Sequence, residues 1–463
     1  MPAQHRQNRQ DWQGSTALLT DHYELTMLRG ALRSGTAHRR AVFEVFARRL
    51  PEGRRYGVVG GTGRLLEALA AFRFGEAELS WLAETGTVDA PTLEFLAGWA
   101  FRGDIWGYGE GDCFFPGSPL LVVEATFAEA VLLETLVLSI LNHDSAVAAA
   151  ASRMTCAAGT RPCIEMGSRR THEQAAVAAA RAAYVAGFTA TSNLEAGRRY
   201  GIPTTGTSAH AFTLLHDSER ESFAAQVASL GSGTTLLVDT YDVTRGVRTA
   251  VEVAGSGLGA VRLDSGDLLE QAHAVRRQLD ELGAHATRVI VTSDLDEFAI
   301  AALAAAPVDG YGVGTALVTG SGAPTAGMVY KLVEVEGRSV AKRSEGKPSR
   351  GGRKWAARRR GADGRAVEEV VLGKDFAVPS VGPVGSDGLA HPPAQSDRVL
   401  LRALVRAGEV VGSEPLAAAR DRHAMARAEL PDHAHQLSRG EPVIPTRYEG
   451  VRQGSPRTQG ATR

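Results

Sequence analysis

The chain has 463 residues, 44% of them apolar, with 51 lysines and arginines against 52 aspartates and glutamates. That length asks for more than one domain, that composition is globular rather than disordered, and that balance leaves no positive excess for a nucleic-acid backbone. Three cysteines, Cys113, Cys156 and Cys163, are too few for a disulfide framework, and neither they nor a set of Cys163, His143 and His172 have zinc-ligand spacing, so no bound metal site is expected from them.

The N-terminal stretch MPAQHRQNRQDWQGST is polar, unlike a signal peptide. TALLTDHYELTMLRGAL follows and reads as a turn into a helix, with Thr20 or Asp21 as cap and Glu24 in the first turn. AVFEVFARRL is a strand candidate, GVVGGTG a glycine turn, RLLEALAAF a helix, and residues 76 to 99 are helical in pattern. WGYGEGDCFFPGSPLLVVEA, from Trp106, is a strand-and-turn unit. The longest apolar run, PLLVVEATFAEAVLLETLVLSIL, is interrupted by Glu124, Glu129 and Glu134 and makes a poor membrane span, so no membrane contact and a cytoplasmic location are expected.

After residue 160 a rhythm sets in. The strand of RPCIEMG, the helix HEQAAVAAARAAYVAG, the joint TATSNLEAGRRYG and the runs TTLLVD, AVRLDSGDL, RVIVTSDLDEF and VDGYGVG alternate strand with helix, and MVYKLVEV closes the series. Such alternation predicts parallel βα units, with a barrel or part-barrel over about 140–335 and active residues at the C-terminal ends of the strands. The segment 342–360 is strongly basic. The expected organisation is an N-terminal α/β domain over 1–135, a barrel-like catalytic domain over 136–340, and a basic loop with a C-terminal segment over 341–463.

Several stretches can do chemistry. In TTGTSAHAF, His210 is either a reagent or a polar residue at a strand end. RLDSGDL places Asp264 and Asp267 on a tight turn suited to ribose hydroxyls or a hydrated Mg²⁺, or to capping the next helix. GYGVGTALVTG carries Gly312, Gly314 and Thr315, whose amides can cradle a phosphate, although no Walker lysine follows. GSRRTHEQ presents Arg169 and Arg170, forks for carboxylate or phosphate, ahead of a Thr171–Gln174 capping box. Tyr23 can stack on a flat ring or fill a core. Lys342, Lys347, Arg350, Arg353 and Lys354 form either a solvated loop or a polyphosphate clamp. Residue by residue the reading stops at a phosphate-handling α/β enzyme of a phosphoribosyl or sugar phosphate.

Taken in order, TDHYELTM, FRGDIWGYGEGD, LLETLVLSILNH, EMGSRR, TSNLEAGRRYGIPTTGTSAHAF, VRLDSGDL, GYGVGTALVTG and MVYKL resemble the nicotinate phosphoribosyltransferases from about residue 16 to 345. The resemblance implies an irregular TIM-like α/β barrel of the type II phosphoribosyltransferase kind, with a second α/β domain built from N- and C-terminal segments. It implies an enzyme of NAD biosynthesis that joins nicotinate to 5-phosphoribosyl 1-pyrophosphate, giving nicotinate mononucleotide and pyrophosphate, with Mg²⁺ and with ATP hydrolysed through a phosphorylated His210. It also implies a homodimer in which Tyr23 of one subunit reaches the pyridine ring held by the other.

By motif position, Arg169 and Arg170 would meet the nicotinate side, Arg262 and Asp264 the phosphoribosyl group, Gly312, Gly314 and Thr315 the 5′-phosphate, and Lys342, Lys347 and Lys354 ATP or pyrophosphate. Ser192 stands where the similar nicotinamide enzymes place an aspartate, which would repel a carboxylate substrate. Met166 replaces an aromatic usual in the family, and a thioether packs on a ring differently. SRGGRK lacks the family's proline before its glycine, so Gly351 is expected to loosen that loop. The alternatives are a nicotinamide or quinolinate phosphoribosyltransferase, and a non-catalytic metabolite-binding homologue.

Overall fold

A computed structural model describes residues 14–342, 349–374 and 397–451. The chain divides into two compact units, residues 146–324 and, from its two ends, residues 1–145 with 325–463.

The unit of residues 146–324 holds six parallel strands: β1 (Cys163–Glu165), β2 (Ala190–Thr191), β3 (Thr235–Leu237), β4 (Ala260–Leu263), β5 (Arg288–Val291) and β6 (Gly310–Val313). Their spatial order is β2-β1-β6-β5-β4-β3. Every strand lies beside its sequence neighbour except β2 and β3, and the last strand pairs with the first, Tyr311 opposite Cys163. A singly wound parallel sheet whose ends meet in this way is a barrel with one open seam. The strands are short and apolar, with Val261, Leu263, Val289, Val291, Tyr311 and Val313 fully buried, as strands covered on both faces require.

The seam between β2 and β3 is partly filled by the chain itself. Thr204 bridges Thr191 in parallel, the Thr191 amide donates to the Pro203 carbonyl at 3.0 Å, and the Thr205 amide donates to Thr191 at 3.0 Å. The helix His210–Leu215 follows directly.

In the other unit, strand Arg40–Ala47 is third in a seven-stranded antiparallel sheet, between Met328–Val335 and Leu121–Thr126. MVYKLVEV, expected to close the barrel series, therefore belongs to this sheet. No side of β6 is free to receive it, because β6 pairs with both β5 and β1. Strands Asp104–Tyr108 and Leu401–Arg406 continue the sheet, so N- and C-terminal segments share one core around Phe43, Trp106, Val123, Tyr330 and Leu404. A smaller sheet pairs Lys354–Arg360 with Ala366–Gly373 and sets Thr446–Glu449 parallel to the latter. Among the described residues, no helix is long and apolar enough to cross a membrane.

Candidate active site at the barrel mouth

Polar residues at the C-terminal ends of three neighbouring strands are hydrogen-bonded to one another. Val238 and Asp239 follow β3, Asp264 follows β4, and Thr292 follows β5. Asp239 is the hub. Its side chain is 1% exposed, one oxygen lies 3.2 Å from His210 Nε2, and the other accepts from the Asp264 amide at 2.8 Å and the Ser265 hydroxyl at 2.7 Å. A carboxyl that receives two donors on one oxygen and faces an imidazole on the other is held as a carboxylate acceptor. The imidazole therefore donates from Nε2 and leaves Nδ1 as a lone pair. His210 is half-exposed, so that lone pair can be reached, as a nucleophile must be.

Asp264 accepts from the Thr292 hydroxyl through Oδ1, which leaves Oδ2 for a ligand. Ser293, next along, sits at φ 117°, a strained conformation for a residue with a side chain and one that clusters at functional turns. Arg262, on β4, donates to the Thr207 hydroxyl, while its Nε is buried without a partner. Burial depresses the Arg262 pKa, Asp264 and Asp239 raise it, and the nearby Arg169 lowers it again. The guanidinium stays charged, and with Arg169 in range it adds to a local positive field that suits an anionic ligand.

The opposite wall is built from β1, β2 and β6. Arg169 and Arg170 are exposed on the short helical turn Ser168–Arg170 after β1, and exposed Ser192 follows β2. Met166 donates its amide to the Val313 carbonyl at 2.8 Å, and its sulfur lies over Gly312. A Cβ on Gly312 would stand 2.5 Å from Thr292 Cγ2 and 2.7 Å from the Met166 sulfur, so a glycine here leaves room for Met166. Gly314 caps the four-residue helix Thr315–Val318, and with exposed Thr315 it does offer amides at the mouth.

Other expected residues lie in the second unit. Tyr23 is exposed on the helix His22–Arg33, and burial of its hydroxyl, with Glu134 and Glu24 nearby, raises its pKa to about 12. Lys342 is exposed, and its carbonyl accepts from the Ser349 amide at 3.1 Å. Lys347 lies outside the described residues. Lys354 is engaged internally, which argues against it as a pyrophosphate ligand: it is 1% exposed, pairs with Glu44 at 2.8 Å, and donates to the Arg350 and Gly352 carbonyls at 2.9 and 2.8 Å. A buried ammonium with three partners has no proton left to donate. Gly351 is likewise no loosener. It is buried, and a Cβ there would collide with the Ser339 hydroxyl and the Val340 carbonyl, so the position is glycine for close packing.

Sequence reasoning passed over Asp239, Thr207, Thr292 and Glu165. A signal existed for the first: LLVD, AVRLD and VIVTSD repeat an apolar strand followed by an aspartate.

Among the described residues, no group of three or more histidine, cysteine or acidic side chains converges to hold a metal ion. A Mg²⁺ ion carried on substrate phosphates requires only one or two carboxylates, and the free oxygen of Asp264 fits that need.

A parallel α/β barrel with arginines, a poised imidazole and a carboxylate hub at the C-terminal ends of its strands is an enzyme architecture built for an anionic substrate. Comparison narrows the class. Residues 18–142 match the profile described as the nicotinate phosphoribosyltransferase (NAPRTase) N-terminal domain. A Mycobacterium tuberculosis protein named nicotinate phosphoribosyltransferase pncB1 is 58% identical over 96% of this chain and 98% of its own length. The crystal structure of human nicotinic acid phosphoribosyltransferase superposes with a TM-score of 0.79 at 27% identity, over 93% of this chain and 98% of that one. A Pyrococcus furiosus nicotinate-nucleotide pyrophosphorylase structure shares the fold, with a TM-score of 0.72 at 24% identity over 89% of this chain and 95% of its own. The chain belongs to the nicotinate phosphoribosyltransferase family.

Proposed function

We propose that the protein is a nicotinate phosphoribosyltransferase that joins nicotinate to 5-phosphoribosyl 1-pyrophosphate and couples the reaction to ATP through His210. The observation that carries this reading is the His210–Asp239–Asp264 array at the barrel mouth, in a chain 58% identical to a relative of that name. The pyridine nitrogen attacks the ribose C1 as the bond to pyrophosphate breaks, giving nicotinate mononucleotide and pyrophosphate. The nitrogen lone pair is already nucleophilic, so no base is required.

Arg169 and Arg170 take the nicotinate carboxylate, Met166 lies against the ring, and Ser192 keeps a second carboxylate away from it. Arg262 and the amides of Gly314 and Thr315 hold phosphate, and Asp264 faces the ribose hydroxyls. Asp264 would hold a Mg²⁺ brought in with the substrate phosphates, which would supply charge neutralisation to the departing pyrophosphate. His210 Nδ1 takes the γ-phosphoryl group of ATP while Asp239 holds Nε2–H. Lys342 remains a candidate for the nucleotide phosphates, and Lys354 does not. We further propose that the enzyme works as a homodimer in which Tyr23 of one subunit completes the site of the other.

The test is product formation from nicotinate, phosphoribosyl pyrophosphate and Mg²⁺, with and without ATP, beside a nicotinamide control. Nicotinate mononucleotide that rises with ATP is expected, with ADP released. His210→Ala should keep slow turnover and lose the ATP effect. Absence of product from nicotinate would sink the assignment. Product indifferent to ATP would demote His210 to a binding residue.

A further inference from the structure

Glu165, the last residue of β1, is 0% exposed, and among the described residues no cation faces it. A fully buried carboxyl without a counter-charge is costly and calls for a reason. Its partners supply one. Oε1 accepts from the Gly167 amide, Oε2 accepts from the Thr191 hydroxyl, and its backbone carbonyl accepts from the Ser192 amide at 2.8 Å. One residue thus grips both the turn that carries Met166 and Arg169 and the turn that carries Ser192.

A second link runs between the same turns. The Thr191 hydroxyl accepts from the Asn193 amide at 2.9 Å, and the Asn193 side chain donates to the Ser168 hydroxyl at 3.0 Å. Gly167 fixes the third side: a Cβ there would meet the Val318 side chain, Glu165 Oε1 at 3.1 Å and the Gly314 carbonyl at 3.1 Å. The two turns are therefore held at a set separation from each other and from the Gly314 turn.

We infer that Glu165, with Thr191 and Asn193, is a positioning element that sets the width of the slot between Arg169 and Ser192, and so the preference for a carboxylate over a carboxamide ring substituent. The inference rests on the functional reading above. Glu165 touches no substrate and acts through the two turns. Replacing its carboxylate with an amide keeps the carbonyl on the Gly167 amide and turns the NH₂ to the Thr191 hydroxyl, which already accepts from Asn193 and must now accept again instead of donating, so that grip is weakened while the volume stays.

The experiment is steady-state kinetics of Glu165→Gln and Asn193→Ala in the full-length protein, with nicotinate and nicotinamide as competing substrates. Loosening the charge-assisted contact of Arg169 with the carboxylate removes binding shared by ground and transition state, worth roughly 10- to 100-fold. The KM for nicotinate should therefore rise by about that factor. The kcat and the KM for phosphoribosyl pyrophosphate should stay within about threefold, and the ratio of nicotinate to nicotinamide kcat/KM should fall by at least about tenfold. A merely structural residue would instead lower the melting temperature and depress kcat without moving that ratio, which would overturn the inference. So would unchanged kinetics. If Glu165→Gln does not fold, Asn193→Ala decides alone. A wild-type protein that makes no product from nicotinate would overturn the functional reading and this one with it, whereas an active wild type with unmoved variants overturns this one only.

Discussion

In the proposed ATP step an imidazole attacks phosphorus from the nitrogen that carries no proton, so what matters at His210 is which nitrogen Asp239 holds. The Asp239 carboxylate already receives the Asp264 amide and the Ser265 hydroxyl on one oxygen, and those two donors require an acceptor there. In Asp239→Asn the side-chain carbonyl must stay with them, which turns the NH₂ toward His210. The ring would then accept at Nε2 and carry its proton on Nδ1, the wrong tautomer for attack. ATP-stimulated turnover should fall by about 100-fold or more, with ATP-independent turnover preserved and the fold intact by circular dichroism. Equal loss of both activities would mean that Asp239 serves the barrel rather than the histidine. At this scale the sequence was informative where a motif is local. RLDSGDL marked Asp264, and EMGSRR marked Arg169. It was silent on Asp239, whose partners lie 25 and 29 residues away on other elements. It misdirected at Lys354, whose partner Glu44 sits on the strand Arg40–Ala47, far off in the chain.

Elements were the most legible level, because the period of their apolar residues is a property of each segment alone. Their caps were less so. The Thr171–Gln174 spacing suggests a capping box, but the helix starts at Glu173, and His172 is the cap, its Nδ1 accepting from the Gln174 amide at 3.3 Å. Asp21 stands at the N-cap of its helix without a side-chain cap bond, while Thr20 donates to Glu24 instead.

The helix Leu416–Ala428 shows what an element contributes once packed. His423, on its buried face, is 2% exposed with Nδ1 3.0 Å from the Gly111 carbonyl, and Gly111, at φ 93°, lies so close that a Cβ would strike the Ala419 carbonyl. Burial lowers the His423 pKa from 6.5 to about 4. The unfolded chain therefore takes up a proton near pH 6.5 that the folded chain refuses until about pH 4. The stability this neutral histidine protects is complete above pH 6.5 and is lost as the pH falls through that window, about 3 kcal/mol in all. Urea titrations of wild type and His423→Gln at several pH values between 7.5 and 4 should show the wild-type curve falling more steeply by roughly that amount. Parallel curves would mean that water reaches the ring.

The whole molecule raises the question of what covers its exposed apolar surface. The helices that follow the barrel strands begin at the mouth, and Leu194, Tyr241, Leu269 and Phe298, in or just before their first turns, are all exposed, as are Leu214 and Leu215 on the His210 helix. The other unit exposes Leu18, Leu19, Tyr23 and Met27, on the N-terminal helix and just before it. Exposed apolar groups on each unit are candidates for an interaction surface, and a second copy of the chain carries both sets. A two-fold dimer with Tyr23 serving the partner's site makes a quantitative prediction. Tyr23→Ala and His210→Ala homodimers should each lack the full ATP-coupled activity, for different reasons. Random reassembly of the two after mild dissociation gives heterodimers as half of all dimers. In each heterodimer one site lacks both groups and the other is entirely wild type. Mixing should therefore restore about a quarter of wild-type activity per subunit. Sedimentation should show the dimer throughout. If the mixture stays at the mean of the two inactive proteins while subunits demonstrably exchange, Tyr23 serves its own chain, and the exposed aromatic at residue 23 has to be explained by packing alone.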